Sequence, residues 1–261
     1  SRALDNILNE VRRVADNGFK EIVLTGIHLG SYGVDLETGT LIDAIELAGA
    51  VEGIERVRIG SLEPRIVTDD FLKRLSEVKT FCPHFHLSLQ SGSDSVLKRM
   101  KRRYTTEEYY QSVEKIRAVF PDASITTDII VGFPLETDEE FEETLAFVQR
   151  VAFHQMHVFK YSIREGTPAA LMTQVDGTVK EARSHRLIEC AESMEVKFLE
   201  RFVDKTVEVL FESYSNFTSV GHTRHYINVE SASGEDVSGQ LRNVKIKAVT
   251  DKKLIGEITK G

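Results

Sequence analysis

His84-Phe85-His86-Leu87-Ser88-Leu89-Gln90-Ser91-Gly92-Ser93 is the stretch on which the fold of this chain turns. A short apolar strand ends there in small and amide side chains, groups able to hydrogen-bond a ligand at the strand's carboxyl edge. Ser93 or Asp94 then starts a helix, which leads into a basic run, Lys98, Arg99, Lys101, Arg102 and Arg103, and on to Tyr104-Thr105. A second string, Thr127-Asp128-Ile129-Ile130-Val131-Gly132-Phe133-Pro134, is followed by Glu136-Thr137 and an acidic helix start. Thr137 and Glu140 form a capping box, and Phe141, Leu145 and Val148 make one apolar stripe. The acidic cluster from Glu136 to Glu143 therefore reads as cap and dipole chemistry rather than as metal ligands.

Further out, Leu4, Ile7, Leu8, Val11, Val14 and Ala15 keep helical spacing, and Gly18 is placed to stop that helix. Glu21-Ile22-Val23-Leu24-Thr25-Gly26 has the form of a strand covered on both faces in a parallel sheet. Thr40 with Asp43 starts a second helix to about Val51, Val57 and Ile59 mark a strand, and Thr68-Asp69-Asp70 begins a third helix. Strands near residues 21, 56, 84, 124 and 154, each followed by a helical pattern, predict βα units in a parallel sheet or barrel. Thr178 to about Phe202 reads as one long helix. From Thr206 the period becomes two, with Gly and Ser between short runs, as in a small antiparallel barrel. A boundary near 203 divides the chain into units 1–202 and 203–261.

The 261 residues suffice for one large domain or a medium and a small one, and 41% apolar with 28% charged residues is ordinary for a globular protein. No apolar run approaches the roughly 20 residues that span a bilayer, and nothing at the start resembles a signal peptide, which predicts a cytoplasmic setting. Cys82 and Cys190 do not make a disulfide framework, in keeping with a reducing compartment. A net charge of -8 gives no global attraction for nucleic acid, so any RNA contact needs a local patch such as residues 98–103. A solvated face is the plain alternative for that run. His84 and His86, two apart on a strand, are a rival signal for a metal-dependent barrel hydrolase, with His154 or His157 and Asp128 as further ligands.

The two strings, together with Phe159-Lys160-Tyr161-Ser162, Arg164 and Gly166-Thr167-Pro168-Ala169, resemble the radical S-adenosylmethionine methylthiotransferase family. The resemblance covers nearly all of the chain. It implies an α/β fold, a partial parallel (β/α) radical-SAM barrel missing its first strand, followed by a TRAM domain, an RNA-binding β-barrel. Gly221-His222-Thr223, Tyr226 and the strand from Gly239 to Val249 look like that domain, although 203–261 holds eight basic and eight acidic residues. Members bind a 4Fe-4S cluster through a CxxxCxxC run shortly before a Ser-Arg pair; here Ser1-Arg2 opens the chain and only Cys82 and Cys190 occur. The expectation is a fragment without the amino-terminal domain and its own cluster. The alternative is a paralogue that lost its cysteines. No metal ligand is assigned, and the two 4Fe-4S clusters of the intact protein are expected to have no ligand in this chain.

The resemblance also implies where S-adenosylmethionine sits. Thr25 and Gly26 would lie near its amino group, though Thr25-Gly26-Ile27-His28 replaces the Gly-Gly-Glu of many radical enzymes. Gln90 and Ser91 suit ribose hydroxyls or a carboxylate, Gly132 and Phe133 an adenine, and Ser162 lies at another strand end. Asp128, in the middle of an apolar strand, is expected to face the barrel mouth or an Arg or Lys partner. Ser88 and Leu135 replace the family's usual proline and glycine. In the resembled enzymes a reduced cluster cleaves S-adenosylmethionine, the resulting radical removes a hydrogen, an auxiliary cluster gives sulfur, and a second S-adenosylmethionine gives the methyl group. No catalytic side chain is singled out. The implied partner is tRNA, and Leu24 to Gly33 resembles most closely the branch acting on threonylcarbamoyladenosine. The isopentenyladenosine and ribosomal-protein branches stay open, as do a non-enzymatic RNA-binding module and the oligomeric state.

Overall fold

Short apolar segments and capped helices alternate as the sequence predicts in the computed structural model, which describes residues 1–36 and 39–259. The strands are β1 (Glu21–Leu24), β2 (Arg56–Ile59), β3 (His84–His86), β4 (Ser124–Val131) and β5 (Gln155–Lys160). Around them run α1 (Leu4–Asp16), α2 (Leu41–Gly49), α3 (Asp69–Glu77), α4 (Asp94–Arg99), α5 (Thr106–Val119), α6 (Asp138–Val151) and α7 (Gly177–Glu200). Local chemistry sets several starts. The Asp43 carboxylate accepts from the Thr40 N–H at 2.6 Å, and the Glu140 carboxylate accepts from the Thr137 N–H at 3.0 Å. A third box, Thr105 with Glu108, opens α5 and was not anticipated.

β1 pairs with β2, and β3, β4 and β5 pair in turn, all in parallel. Val57 N–H donates to Thr80 O at 2.9 Å and Leu62 N–H to His86 O at 2.8 Å, which joins the two groups into one succession of strands. Every second residue, including Ile22, Val57, Phe85, Ile125, Ile129 and Met156, joins one core with the helices. The other face carries Glu21, Arg56, Arg58, His84, His86, Thr126, Asp128 and His157, and is polar. β1 departs here from the expected strand covered on both faces: Val23 is 52% exposed, because no described element lies over it.

The chain from 206 onward forms β6 (Thr206–Ser215), β7 (Thr218–Thr223), β8 (Asn228–Ala232), β9 (Leu241–Thr250) and β10 (Lys253–Ile258). They close into a barrel in the order β10-β8-β7-β6-β9. Four pairings are antiparallel; the β8–β10 pairing is parallel. Its core takes in Phe198, Leu199 and Phe202, so the end of α7 packs with the barrel although its earlier turns pack with the sheet.

The barrel docks at the amino ends of β2 and β3. Arg56 and Arg58 are 0% and 2% exposed. Arg56 donates to His222 O at 2.8 Å and to Glu208 O at 3.0 Å. Arg58 donates to Thr223 O at 2.7 Å, to Arg224 O at 2.8 Å and to the Glu21 carboxylate at 2.6 Å. Arg224 reaches back to Lys79 O and Phe81 O, both at 2.6 Å. Buried guanidiniums are costly unless so paired, and of these two only the Arg56 Nε lacks a partner among the described residues. The carboxyl ends of the strands stay open. Among the described residues, no helix is long and apolar enough to cross a membrane.

Candidate functional site

A cavity of about 770 Å³ lies at the carboxyl ends of β3, β4 and β5, where parallel α/β folds place ligands. Gln90, Asp128, Phe133, Phe159, Tyr161 and Ser162 line it together with the cations Arg99, Lys101, Arg102 and Arg164. Gln90 has φ 74, a left-handed conformation that a non-glycine residue adopts at a cost of about 1–3 kcal/mol. Two hydrogen bonds of 2.9 Å enforce it, Gln90 N–H to Asp128 O and Ile130 N–H to Gln90 O. They leave its side-chain amide without a hydrogen-bond partner among the described residues.

Asp128 was expected to face the mouth or a cationic partner. It lines the cavity, and its Oδ2 stands 3.4 Å from His86 Nε2, so the partner is an imidazole rather than Arg or Lys. The other ring nitrogen, Nδ1, lies 3.0 Å from Thr126 Oγ1. Phe133 packs edge to face with Tyr161 at 5.2 Å between centroids. The Tyr161 hydroxyl is buried and has no hydrogen-bond partner among the described residues.

Gly132 has φ 67, and a Cβ there would run into the Lys180 stem, which crosses the strand end at that point. The Lys180 ammonium ends 5.4 Å from the Tyr161 ring centroid and 3.4 Å from its carbonyl. The Gly132 N–H donates to the Glu136 carboxylate, which Arg183 holds at 3.2 Å. Burial pushes the Glu136 carboxyl up, with Arg183 opposing. Sequence reasoning passed over Lys180; the glycine that makes room for it was the available signal.

Ser91 is buried, 3.3 Å from the Thr144 hydroxyl, and accepts from the Ser93 N–H at 3.2 Å, so it ties the loop to α6. Gly92 sits so close to α6 that a Cβ would come within 2.8 Å of Thr144 Cα. Thr25 and Gly26 line a different cavity of about 700 Å³, beside α1 and β1. The structure thus brings together Gln90, Asp128, Phe133 and Ser162, and places Thr25, Gly26, Ser91 and Gly132 elsewhere.

The basic run is also divided. Arg99 forks onto Glu140 at 2.8 and 2.5 Å, and this hydrogen bond holds the Glu140 carboxyl down at about 2. Lys98, Lys101, Arg102 and Arg103 are exposed and make no ion pair among the described residues. Lys101, with φ 56, turns the chain out of α4 so that it and Arg102 reach the cavity edge.

An iron–sulfur cluster needs several thiolates at one point. Cys82 is buried beneath β2, Cys190 lies on α7, and among the described residues no three His, Cys, Asp or Glu side chains converge as metal ligands. The residues present do not fit a cluster. An adenine nucleoside fits better: Phe133 and Phe159 supply aromatic walls, and Gln90 supplies a side-chain amide at the cavity.

Parallel βα units with a cavity at the carboxyl edge of the strands define an α/β fold related to the parallel barrels. The family model described as the Radical SAM superfamily matches residues 1–148, and the chain belongs to that superfamily. Among curated relatives, "Threonylcarbamoyladenosine tRNA methylthiotransferase MtaB" of Bacillus subtilis (strain 168) is 39% identical over 94% of this chain and 56% of its own length. "tRNA-2-methylthio-N(6)-dimethylallyladenosine synthase" of Acetivibrio thermocellus is 40% identical over 100% of this chain and 55% of its own length. The chain therefore spans about half the length of these relatives. Among solved structures, coproporphyrinogen III oxidase from Escherichia coli aligns with TM-score 0.53 and 13% identity over 94% of this chain and 59% of that one. The methyltransferase TsrM from Kitasatospora setae aligns with TM-score 0.51 and 14% identity over 66% and 33%. These two likenesses speak for the fold alone.

Proposed function

We propose that this chain is the cofactor-binding and RNA-contacting part of a tRNA methylthiotransferase that adds a methylthio group to threonylcarbamoyladenosine. The observation that carries the reading is the nucleoside-sized cavity bordered by the unpaired cations Lys101 and Arg102, in a chain 39% identical to the Bacillus subtilis relative of that name. In this reading Gln90, Asp128, Phe133 and Ser162 hold S-adenosylmethionine. Thr25 and Gly26 line the separate cavity beside α1 and β1 and are not part of this group, while Ser91 and Gly132 shape the loops. Residues 1–202 form the radical core and 203–261 a TRAM-type barrel. Two 4Fe-4S clusters belong to the intact protein, with ligands outside this chain, and the setting is cytoplasmic. The chain's own part is to bind, orient and keep water from a reactive nucleoside.

Deleting the source gene and analysing digested tRNA by mass spectrometry tests the proposal. Methylthio-threonylcarbamoyladenosine should vanish and its precursor accumulate. The 40% identity to the dimethylallyladenosine synthase supports a second reading, in which the prenylated nucleoside loses its methylthio group instead. A methylthio defect confined to a ribosomal protein would discard both.

A further inference from the structure

We infer that Lys101 is a specificity-determining residue, its ammonium meeting the carboxylate of a threonylcarbamoyl substituent at the mouth of the carboxyl-edge cavity. The inference rests on the proposed function and concerns the substituent of the substrate, not the cofactor.

The chain carries a net charge of -8, yet the cavity wall holds five cations, Arg99, Lys101, Arg102, Lys160 and Arg164, against one carboxylate, Asp128. Arg99 and Lys160 are taken by Glu140 and Glu181, and Asp128 stands against His86. Lys101, Arg102 and Arg164 remain, exposed and without an ion pair among the described residues, so the wall is set for an anion.

Lys101 is the one whose backbone is committed to that place. It follows α4 at φ 56; its N–H donates to Lys98 O at 3.0 Å, and the Arg102 N–H closes the helix on Leu97 O at 2.9 Å. Glycine is the usual residue at such a left-handed helix end, because a side chain there is strained. A lysine in that position gives up stability and puts a cation into the cavity wall.

The two relatives quoted above are named for adenosines with different substituents, threonylcarbamoyl in one and dimethylallyl in the other. The first ends in a carboxylate. The second is hydrocarbon, and an ammonium beside it loses water without gaining a partner. An unpaired lysine at the mouth therefore favours the first over the second.

Lys101→Gly removes the cation and relieves the backbone together. The probes are free threonylcarbamoyladenosine and dimethylallyladenosine, which carry no phosphate, and S-adenosylhomocysteine, each titrated calorimetrically into the full chain with its thermal midpoint recorded. The unsubstituted chain should prefer threonylcarbamoyladenosine. In the variant that affinity should fall roughly 3- to 10-fold, as for a partly screened ion pair, with the other two probes unaffected and the midpoint equal or higher. Lys101→Arg should keep the preference. An equal loss for both nucleosides, a loss for S-adenosylhomocysteine, or no loss at all overturns the inference, while the preference of the unsubstituted chain leaves the proposed function standing. If that chain prefers dimethylallyladenosine or takes up neither nucleoside, the proposed function fails and takes the inference with it.

Discussion

Arg58 donates to the Thr223 carbonyl at 2.7 Å across the seam between sheet and barrel, from a side chain only 3% exposed. Its other face holds Glu21 at 2.6 Å. Replacing Arg58 with Ala strips a nearly buried carboxylate and two carbonyls of their donor at once. We expect a loss of about 3–5 kcal/mol in urea unfolding, with faster proteolysis between Glu200 and Thr206. A loss under about 1 kcal/mol would mean that water replaces the guanidinium and that the seam is wetter than its burial implies.

Three histidines at the same seam make its stability depend on pH. Burial, the largest cause, pulls His84 and His154 down to about 3 and His225 down to about 4. His84 faces Tyr226 and Arg58, His154 stacks on Phe198 and meets Ser124, and His225 faces Phe202 with Arg201, Arg224 and Asp122 nearby. Each is neutral when folded, so its contribution is complete above the unfolded value near 6.5. It drains as pH falls from there toward 3 or 4. Urea midpoints measured from pH 8 to pH 4.5 should be flat above about 7 and fall below about 6.5. Glu136 and Glu195, which burial pushes up, act in the opposite sense, so the slope is read as a difference from a His84→Gln variant, which should be shallower.

The exposed part of the basic run and Arg99 should behave differently. Changing Lys101, Arg102 and Arg103 to Ala should lower the log-log salt slope of tRNA binding by roughly 0.7–0.9 for each true phosphate contact and leave stability unchanged. Arg99→Ala should instead cost stability, because Glu140 keeps its place without its partner. Filter binding across a salt series and thermal melts check the two halves. Identical salt slopes for both proteins would return the run to a solvated surface.

Gly132→Ala should destabilise by about 1–3 kcal/mol, from its φ of 67 and the collision with Lys180. Pairing it with Lys180→Ala removes the collision and leaves the backbone strain. The double variant should therefore lose less than the sum of the singles.

Anaerobic reconstitution of this chain with iron and sulfide should yield no stoichiometric 4Fe-4S cluster. Burial raises the Cys82 thiol, and Cys190 sits on α7 away from it. Iron and sulfide content with the paramagnetic signal of the reduced sample decides it.

Strand positions, several helix caps and the carboxyl-terminal barrel were legible because their signals are local: Thr137 and Glu140 sit three residues apart, and β6 to β10 alternate visibly; the order β10-β8-β7-β6-β9 and its parallel β8–β10 pair were not. The site was half legible. Gln90 and Asp128 announce themselves as polar residues at strand ends, and the cavity holds both. Ser91 and Arg99 looked equally suitable in sequence, but their partners, Thr144 and Glu140, lie on α6 some forty to fifty residues away. Docking of α6 decided their roles, and no short-range pattern encodes it. Arg56 and Arg58 carried no signal in the sequence, where only Val57 and Ile59 marked the strand; the barrel made from residues beyond 205 is what covers them.

The position of β10 between β8 and β9 makes assembly of this molecule a matter of timing. During synthesis the cylinder cannot shut until its final segment is made, and its rim carbonyls at 222–224 are held in place only then. Arg56 and Arg58 emerge far earlier and wait beside Glu21 as hydrated cations. The nascent sheet therefore exists first with an uncovered floor, and its histidines become dry only at the last step.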